Sequence, residues 1–518
     1  RKEERNISMK SIPLTILALL ATIVFSLIAY TEHPIAGAVV AVVCLFIVFN
    51  YIVKFSGLTL AQKRALRKHR KTTKRTDRYL FSTFNNEIAA TWDGESMSMF
   101  LELSPAPLQT VAFTDEGKGI PEVPIGIIAE NLRRFDISVD DVYINSYGYQ
   151  TLTESPYEKA YKPALKSQLT RWKTYIEVSM RLENSMSEIE TRRGDAATPE
   201  EAYAKAVNVA TQRMMRSLLD AGWRARVLNQ GQVEAMDKEI SGFMGDIFDH
   251  EHKNNMGKNT QWAAVYASNS TNFDPLRLNR GAEAIGVIRH IRPVDKVAAD
   301  IDTYVALFGQ SRESVSMKRK GLKKLPGVQG DVVSYLLPQA PNNKVFVSRP
   351  THSVSNVRGL KLRTGPAWGI GSLIGETVTQ PPLNAALTTT SGVGQVLYVA
   401  AHVSFVRNLI SRMAASGESV AIELSGDDWK SWVEMLSLDR VTTSRINKAT
   451  VVVTASRNGA SIEPRAGVLM VCLTPQVPLD ARYSIEQLDS GVLRVVTGQT
   501  YRDVKWIAEE AERNWWAS

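Results

Sequence analysis

Two runs of nineteen residues without a formal charge stand near the start of the chain. They are IPLTILALLATIVFSLIAY at 12–30 and IAGAVVAVVCLFIVFNYIV at 35–53, separated only by TEHP. A helix that crosses about 30 Å of hydrocarbon needs about 20 apolar residues. Neither run has a polar face, which argues against a helix pair buried in a globular core. A cleaved leader is disfavoured too, because a second run follows at once and no clear small-residue cleavage site stands between them. The pattern predicts two transmembrane helices, 12–30 and 35–53, turning at Pro34.

From Tyr79 onward the pattern changes to mixed α/β. Residues 87–105 (EIAATWDGESMSMFLELSP) read as a β-hairpin with its turn at Asp93–Gly94. A helix is expected at 124–135, and strands at 142–149, 171–182 and 223–228. The clearest helix is 198–221: Thr198 caps, Pro199 stands first, Glu201 completes a capping box and Gly222 follows the end. Its apolar stripe is Tyr203, Val207, Ala210, Met214 and Leu218. A polar loop is expected at 242–261, a strand at 282–291, a helix at 295–308 through Val297, Ile301, Tyr304 and Val305, and a loop at 311–330. Residues 338–356, rich in Pro, Asn and Ser, look like a linker between an α/β region at 79–337 and a C-terminal α/β region at 357–518, the two belonging to one domain. In the last third, a strand and helix lead to a stop at Gly417 and a strand at 419–424. A helix capped by Asp427 or Asp428 follows, then strands at 450–454, 467–473 and 491–496. A final helix is expected after Thr500, with the stripe Val504, Ile507, Ala511 and Trp515. Trp506 and Trp516 fall off that stripe and are candidates for partner contact. Alternation of strands and helices predicts parallel pairing with helices on the sheet faces.

Charge sharpens the N-terminal picture. The chain carries a net +9, but residues 1–78 alone sum to +10 and residues 79–518 to −1. Most of the excess sits at 54–78, as Lys54, Lys63, Arg64, Arg67, Lys68, Arg70, Lys71, Lys74, Arg75 and Arg78. The intervening turn has no Lys or Arg. Cationic residues are retained on the cytoplasmic side, so both ends of the hairpin are expected there. The stem residues named are expected to touch anionic headgroups, at about 1 kcal/mol each, and the spacing of the run at 63–78 fits a helix continuing below the membrane, with Leu60 and Leu66 as its few apolar points. Nucleic acid is a poorer match, since no aromatic residue interrupts 63–78 and no zinc or helix-turn-helix signature accompanies it.

Chemistry is sparse. Only Cys44 and Cys472 are present, so neither a disulfide framework nor a cysteine zinc site can be built. Residues 246–252 (DIFDHEH) gather ligand-type side chains, but not at the spacing of a helical His pair; a solvated loop is the better reading. Gly369, Gly371 and Gly375 stand as G-x-G-x-x-x-G, with the third glycine one residue late for a dinucleotide cradle. Asp300 and Asp302 match the minimal Asp-x-Asp of metal-dependent sugar transferases, but fall in the expected helix at 295–308. No P-loop, G-x-S-x-G or H-E-x-x-H motif is found. No catalytic residue, metal or cofactor is therefore assigned.

Several stretches resemble one family in the same order: EccE, a conserved membrane component of mycobacterial type VII (ESX) secretion systems, with the combination closest to the ESX-1-type branch. They are the hairpin and basic stem, ATWDGESMSMFLELSP, INSYGY, RMMRSLLDAGWRARVL, GIGSLIGETV and LISRMAASGESVAI. The resemblance implies a glycosyltransferase-like α/β cytoplasmic domain without activity. It also implies a peripheral place in a six-fold complex with EccB-, EccC- and EccD-type components, EccC being the motor ATPase, for export of WXG-type proteins. The alternative is a membrane-anchored glycosyltransferase facing the cytoplasm. A sugar-nucleotide enzyme would be expected to show a strand-end Asp-x-Asp or a phosphate-binding glycine loop.

Overall fold

The computed structural model describes residues 78–513 and Trp515, apart from internal stretches of which the longest are 271–281, 340–351 and 358–364, and scattered positions between Thr31 and Thr59. The protein is mixed α/β, built on two large sheets.

The first sheet has twelve strands among the described residues, and all its pairings are antiparallel. It contains the expected hairpin, Ile88–Trp92 with Ser96–Leu103. Asp93 makes the turn by accepting the backbone N–H groups of Glu95 (3.0 Å) and Ser96 (2.7 Å), the local bond that favours Asp there. Its centre is Asp141–Tyr149, paired with Arg171–Arg181 on one side and Ala284–Pro293 on the other. Helix Pro199–Asp220 packs on one face through Tyr203, Val207, Ala210, Met214 and Leu218. Of the expected capping box, the Thr198 half is formed, Thr198 Oγ1 accepting from the Glu201 N–H at 3.2 Å. Helix Gln230–Met244 covers the other face with Val233, Met236 and Ile240.

The second sheet is mixed. Val420–Ile422, Val451–Ala455, Leu469–Leu473, Gln395–Ala400 and Tyr483–Gln487 run parallel, as strand–helix alternation predicts. Val492–Thr497, Thr500–Trp506, Ser372–Thr377 and Asn384–Leu387 continue it antiparallel. Helices Val403–Ala415 and Asp427–Leu436 pack on one face; the second helix starts after Gly426 with no side-chain cap. The early strand Thr110–Phe113 adds to this sheet against Asn384–Leu387, and helix Pro156–Leu165 shares its core. Within the linker-like stretch, His352–Val354 pairs with Ala299–Ile301 of the first sheet. The 79–337 and 357–518 regions are thus interleaved.

Three local expectations are corrected. Residues 295–308 are not a helix: Ala299–Gly309 is a long strand buried along nearly its whole length. A strand covered on both faces loses the period-2 alternation, so its apolar positions imitate helical spacing. The terminal helix is replaced by strand Thr500–Trp506 and a short helix, Glu510–Arg513. Gly498, at a φ of 66°, makes the two-residue turn back from Val492–Thr497. The stretches expected as loops at 242–261 and 311–330 hold the end of helix Gln230–Met244 and the strands Met256–Lys258 and Leu322–Lys324. Before the basic run, Lys54–Phe55 pairs with Leu58–Thr59 as a minimal hairpin, and the helix expected from the spacing of the run at 63–78 lies, but for Arg78, outside the described residues.

Among the described residues no helix is long and apolar enough to cross a membrane. Residues 12–30, and 35–53 except for Ile35, Val39 and Val42, lie outside them. Those three are helical and exposed, at 82%, 58% and 67%, and their spacing puts them on one helix face.

Candidate functional site

The two sheets meet at a seam built from backbone contacts. Residues 369–371 bond first to the start of Arg171–Arg181: Gly369 N–H to Trp172 O, Ile370 N–H to Leu169 O and Gly371 N–H to Thr170 O, each at 3.0 Å. The next residue opens strand Ser372–Thr377 of the second sheet. A side chain at Gly369 is excluded because a Cβ would overlap the carbonyl of Thr170. Gly417 ends helix Val403–Ala415 at a φ of 97°, and a Cβ there would run into the Tyr149 hydroxyl of the first sheet. The G-x-G run is therefore used for close packing, and it leads into a strand where a dinucleotide cradle needs a helix.

Side chains reinforce the seam. Arg171 reaches from the first sheet to Glu418, just after Gly417, at 3.1 Å. Thr389 Oγ1 (3.1 Å) and Thr450 Oγ1 (2.6 Å) also donate to Glu418. Burial disfavours the charged form of Arg171, but Glu418 and Glu239 outweigh it and raise its pKa further. Burial likewise opposes ionisation of Glu239; Lys173 and Arg171 outweigh it and hold its carboxyl below the usual range.

Beside these contacts lies a cleft of about 240 Å³. Arg171, Lys173, Arg224 and Arg226 line it, with Glu102 as the carboxylate among the lining residues. Glu102 accepts from Arg226 Nε (2.8 Å) and Nη2 (2.6 Å), while Lys173 pairs with Glu239. Arg224 is exposed, and its side chain meets no carboxylate among the described residues.

A second polar cluster sits at one end of the first sheet. His290 Nε2 lies 2.6 Å from Asp141 Oδ1, and Arg181 Nη2 donates to Asp141 Oδ2 at 2.9 Å. Burial raises the pKa of Asp141, but His290 and Arg181 outweigh it and bring it down to about 2. The Tyr143 ring stacks on His290 at 4.4 Å and on Tyr335 at 5.2 Å. A His–Asp pair can orient an imidazole for general-base work, but that also requires a hydroxyl or thiol in reach. None bonds to His290 among the described residues.

The structure disperses the other motif candidates. Asp302 is buried and accepts from Arg292 Nη2 at 2.9 Å, while Asp300, on the same strand face, accepts from Ser353 Oγ at 2.5 Å. Glu251 accepts from the backbone N–H of Gln329 (3.0 Å), and His252 stacks on Trp262 at 5.7 Å. Asp249 and His250 lie outside the described residues. Among those described, no group of three or more His, Cys, Asp or Glu is placed to hold a metal.

Of the stem residues, Lys63, Arg64, Arg67, Lys68, Arg70, Lys71, Lys74 and Arg75 lie outside the described residues, and Lys54 is in the minimal hairpin. Arg78 is a correction: its guanidinium is buried against Glu177 and donates to Pro338 O at 3.2 Å, so it cannot reach a headgroup. Its carboxylate partner is distant in sequence, which is why it reads as the last residue of a charge run. Trp506 is a correction too. It packs inward, its ring 5.6 Å from Phe405 and its Nε1 donating to Asn408 Oδ1 at 3.1 Å. Trp515, the expected core residue, does pack inward, its carbonyl accepting from Trp432 Nε1 at 2.9 Å. Trp516 lies outside the described residues.

Sequence reasoning missed Arg412 and Glu512, a fully buried pair 2.7 Å apart. Asn408, Tyr157 and the backbone of Leu373 and Ile507 complete the network. One signal was available: Arg412 stands on the face of helix 403–415 that also carries Phe405 and Leu409. No protein-family model matches the chain, and no curated protein matches it.

Proposed function

We propose that the chain is a non-catalytic structural subunit of a type VII secretion membrane complex, an EccE-type peripheral scaffold. On this reading residues 12–53 form the transmembrane hairpin, with both ends cytoplasmic. The glycosyltransferase-like α/β domain docks EccB-, EccC- and EccD-type components instead of turning over a sugar nucleotide, and the complex exports WXG-type proteins across the inner membrane.

The observation that carries this reading is the convergence of the stretches resembling EccE. The LELSP end of the hairpin, Tyr149 of INSYGY, Arg224 and Arg226 of GWRARVL, Gly369 and Gly371 of GIGSLIGETV, and Ser416 and Gly417 of AASGESVAI all meet at the seam. There their glycines and short side chains join the sheets. Glycines used for packing are what a scaffold requires of its signature positions. The exposed apolar face of Ile35, Val39 and Val42 supports the hairpin.

Topology is tested by single cysteines at His33 and Thr83 in a Cys44→Ala, Cys472→Ala background. An impermeant maleimide labels His33→Cys in intact cells and leaves Thr83→Cys unlabelled; the reverse pattern contradicts the anchor. Function is tested by Asp300→Asn with Asp302→Asn, which leaves secretion intact. Loss of secretion by a folded, assembled variant would favour the transferase reading.

A further inference from the structure

We infer that the seam cleft is a binding site for a small phosphate-bearing anion. Four cations line it against one carboxylate, Glu102. Glu102, Glu239 and Glu418 pair with three of the four, so the local excess is one positive charge, carried by Arg224. Like charges gathered in a cleft with low-dielectric walls focus field and concentrate counter-ions.

The cations are unequally committed. Glu239 and Glu418 hold Arg171, Glu239 holds Lys173, and Glu102 holds Arg226. Arg224 alone among the four has no carboxylate partner among the described residues, and it extends from the chain beside the strand Ala225–Val227. A guanidinium in that position offers a planar fork of donors suited to two phosphate oxygens. Glu102 holds Arg226 through one carboxylate oxygen, so an incoming phosphate competes for a guanidinium already on the wall. The Trp172 and Trp368 side chains, both buried, also line the cleft.

Size limits the ligand. At about 240 Å³ the cleft is smaller than the roughly 300–1,000 Å³ that encloses a drug-sized molecule. It suits one phosphate-bearing group with the rest of its carrier outside. Free phosphate compounds and lipid headgroups share this chemistry.

The test is calorimetry on the full chain in neutral-lipid nanodiscs, with pyrophosphate as the probe. Saturable binding is expected, weakened at least about tenfold by Arg224→Gln, the loss of one charged hydrogen-bonding group. Glu102→Gln should tighten binding, because it removes a repelling carboxylate and frees Arg226. A purely structural role for either residue would not produce these opposite signs. Arg224→Gln should leave the thermal midpoint unchanged, so weaker binding cannot be ascribed to unfolding. Repeating the titration in nanodiscs of anionic lipid separates the two sources: competition by the lipid assigns the site to a headgroup, and unchanged affinity assigns it to a free anion. Absence of saturable binding overturns the inference. So does equal affinity in both variants, which would put the anion on the basic stem.

Discussion

The Arg412–Glu512 pair and the seam cleft are both charge clusters within one fold, and they leave very different groups free. At the pair, both side chains are fully buried, and five further polar groups complete the hydrogen bonding. At the cleft, Arg171, Lys173 and Arg226 are ion-paired while Arg224 pairs with no described carboxylate. A closed network holds a segment in place, here residues 507–512 against helices Pro156–Leu165 and Val403–Ala415. An open one retains the capacity to recognise something else.

The largest effect expected from this contrast is at the closed network. Arg412→Ala strands a buried carboxylate and should cost about 3–5 kcal/mol in chemical denaturation, whereas pairing Arg412→Met with Glu512→Leu should recover much of the loss. Equal destabilisation by the single and double variants would mean that packing, not charge, dominates there. Next comes the seam. Gly417→Val forces a branched residue into positive φ and against Tyr149, for a loss of at least about 1–3 kcal/mol. On the proposed scaffold reading, reduced incorporation into a membrane complex should accompany it. The Asp141 cluster predicts a pH effect of about 2 kcal/mol. The Asp141 pKa is depressed from 3.8 to about 2 by His290 and Arg181 against burial. Its contribution is therefore complete above 3.8 and is lost as pH falls towards 2. Asp141→Asn should remove that part of the acid unfolding curve. The smallest effect is at the open cluster: Arg224→Gln should change stability by no more than about 0.5 kcal/mol.

How much of this was legible follows the range of the interactions. Helix 198–221 was readable because its cap, first-turn proline and stripe are local. The Asp93–Gly94 hairpin was readable because Asp93 bonds to residues two and three further on. The strand at Ala299–Gly309 was not, because burial on both faces erased its alternation. Thr500–Trp506 was mistaken for a helix because Val504, Ile507, Ala511 and Trp515 recur at helical spacing across a strand, a bend and a short helix. The partners of Arg78 and Trp506 are 99 and 98 residues away in sequence, so inward burial could not be distinguished from surface exposure. The seam was visible only as glycines with no stated task. Their reason is backbone approach between sheets, which spacing alone does not encode.

The central claim, that this is a docking subunit, is tested most directly by purifying the full chain from native membranes in mild detergent and identifying what accompanies it. The account predicts a large complex containing an EccC-type motor ATPase with EccB- and EccD-type proteins, and loss of that complex when residues 12–53 are deleted. A chain that elutes alone from membranes in which those components form an intact complex without it would contradict the account.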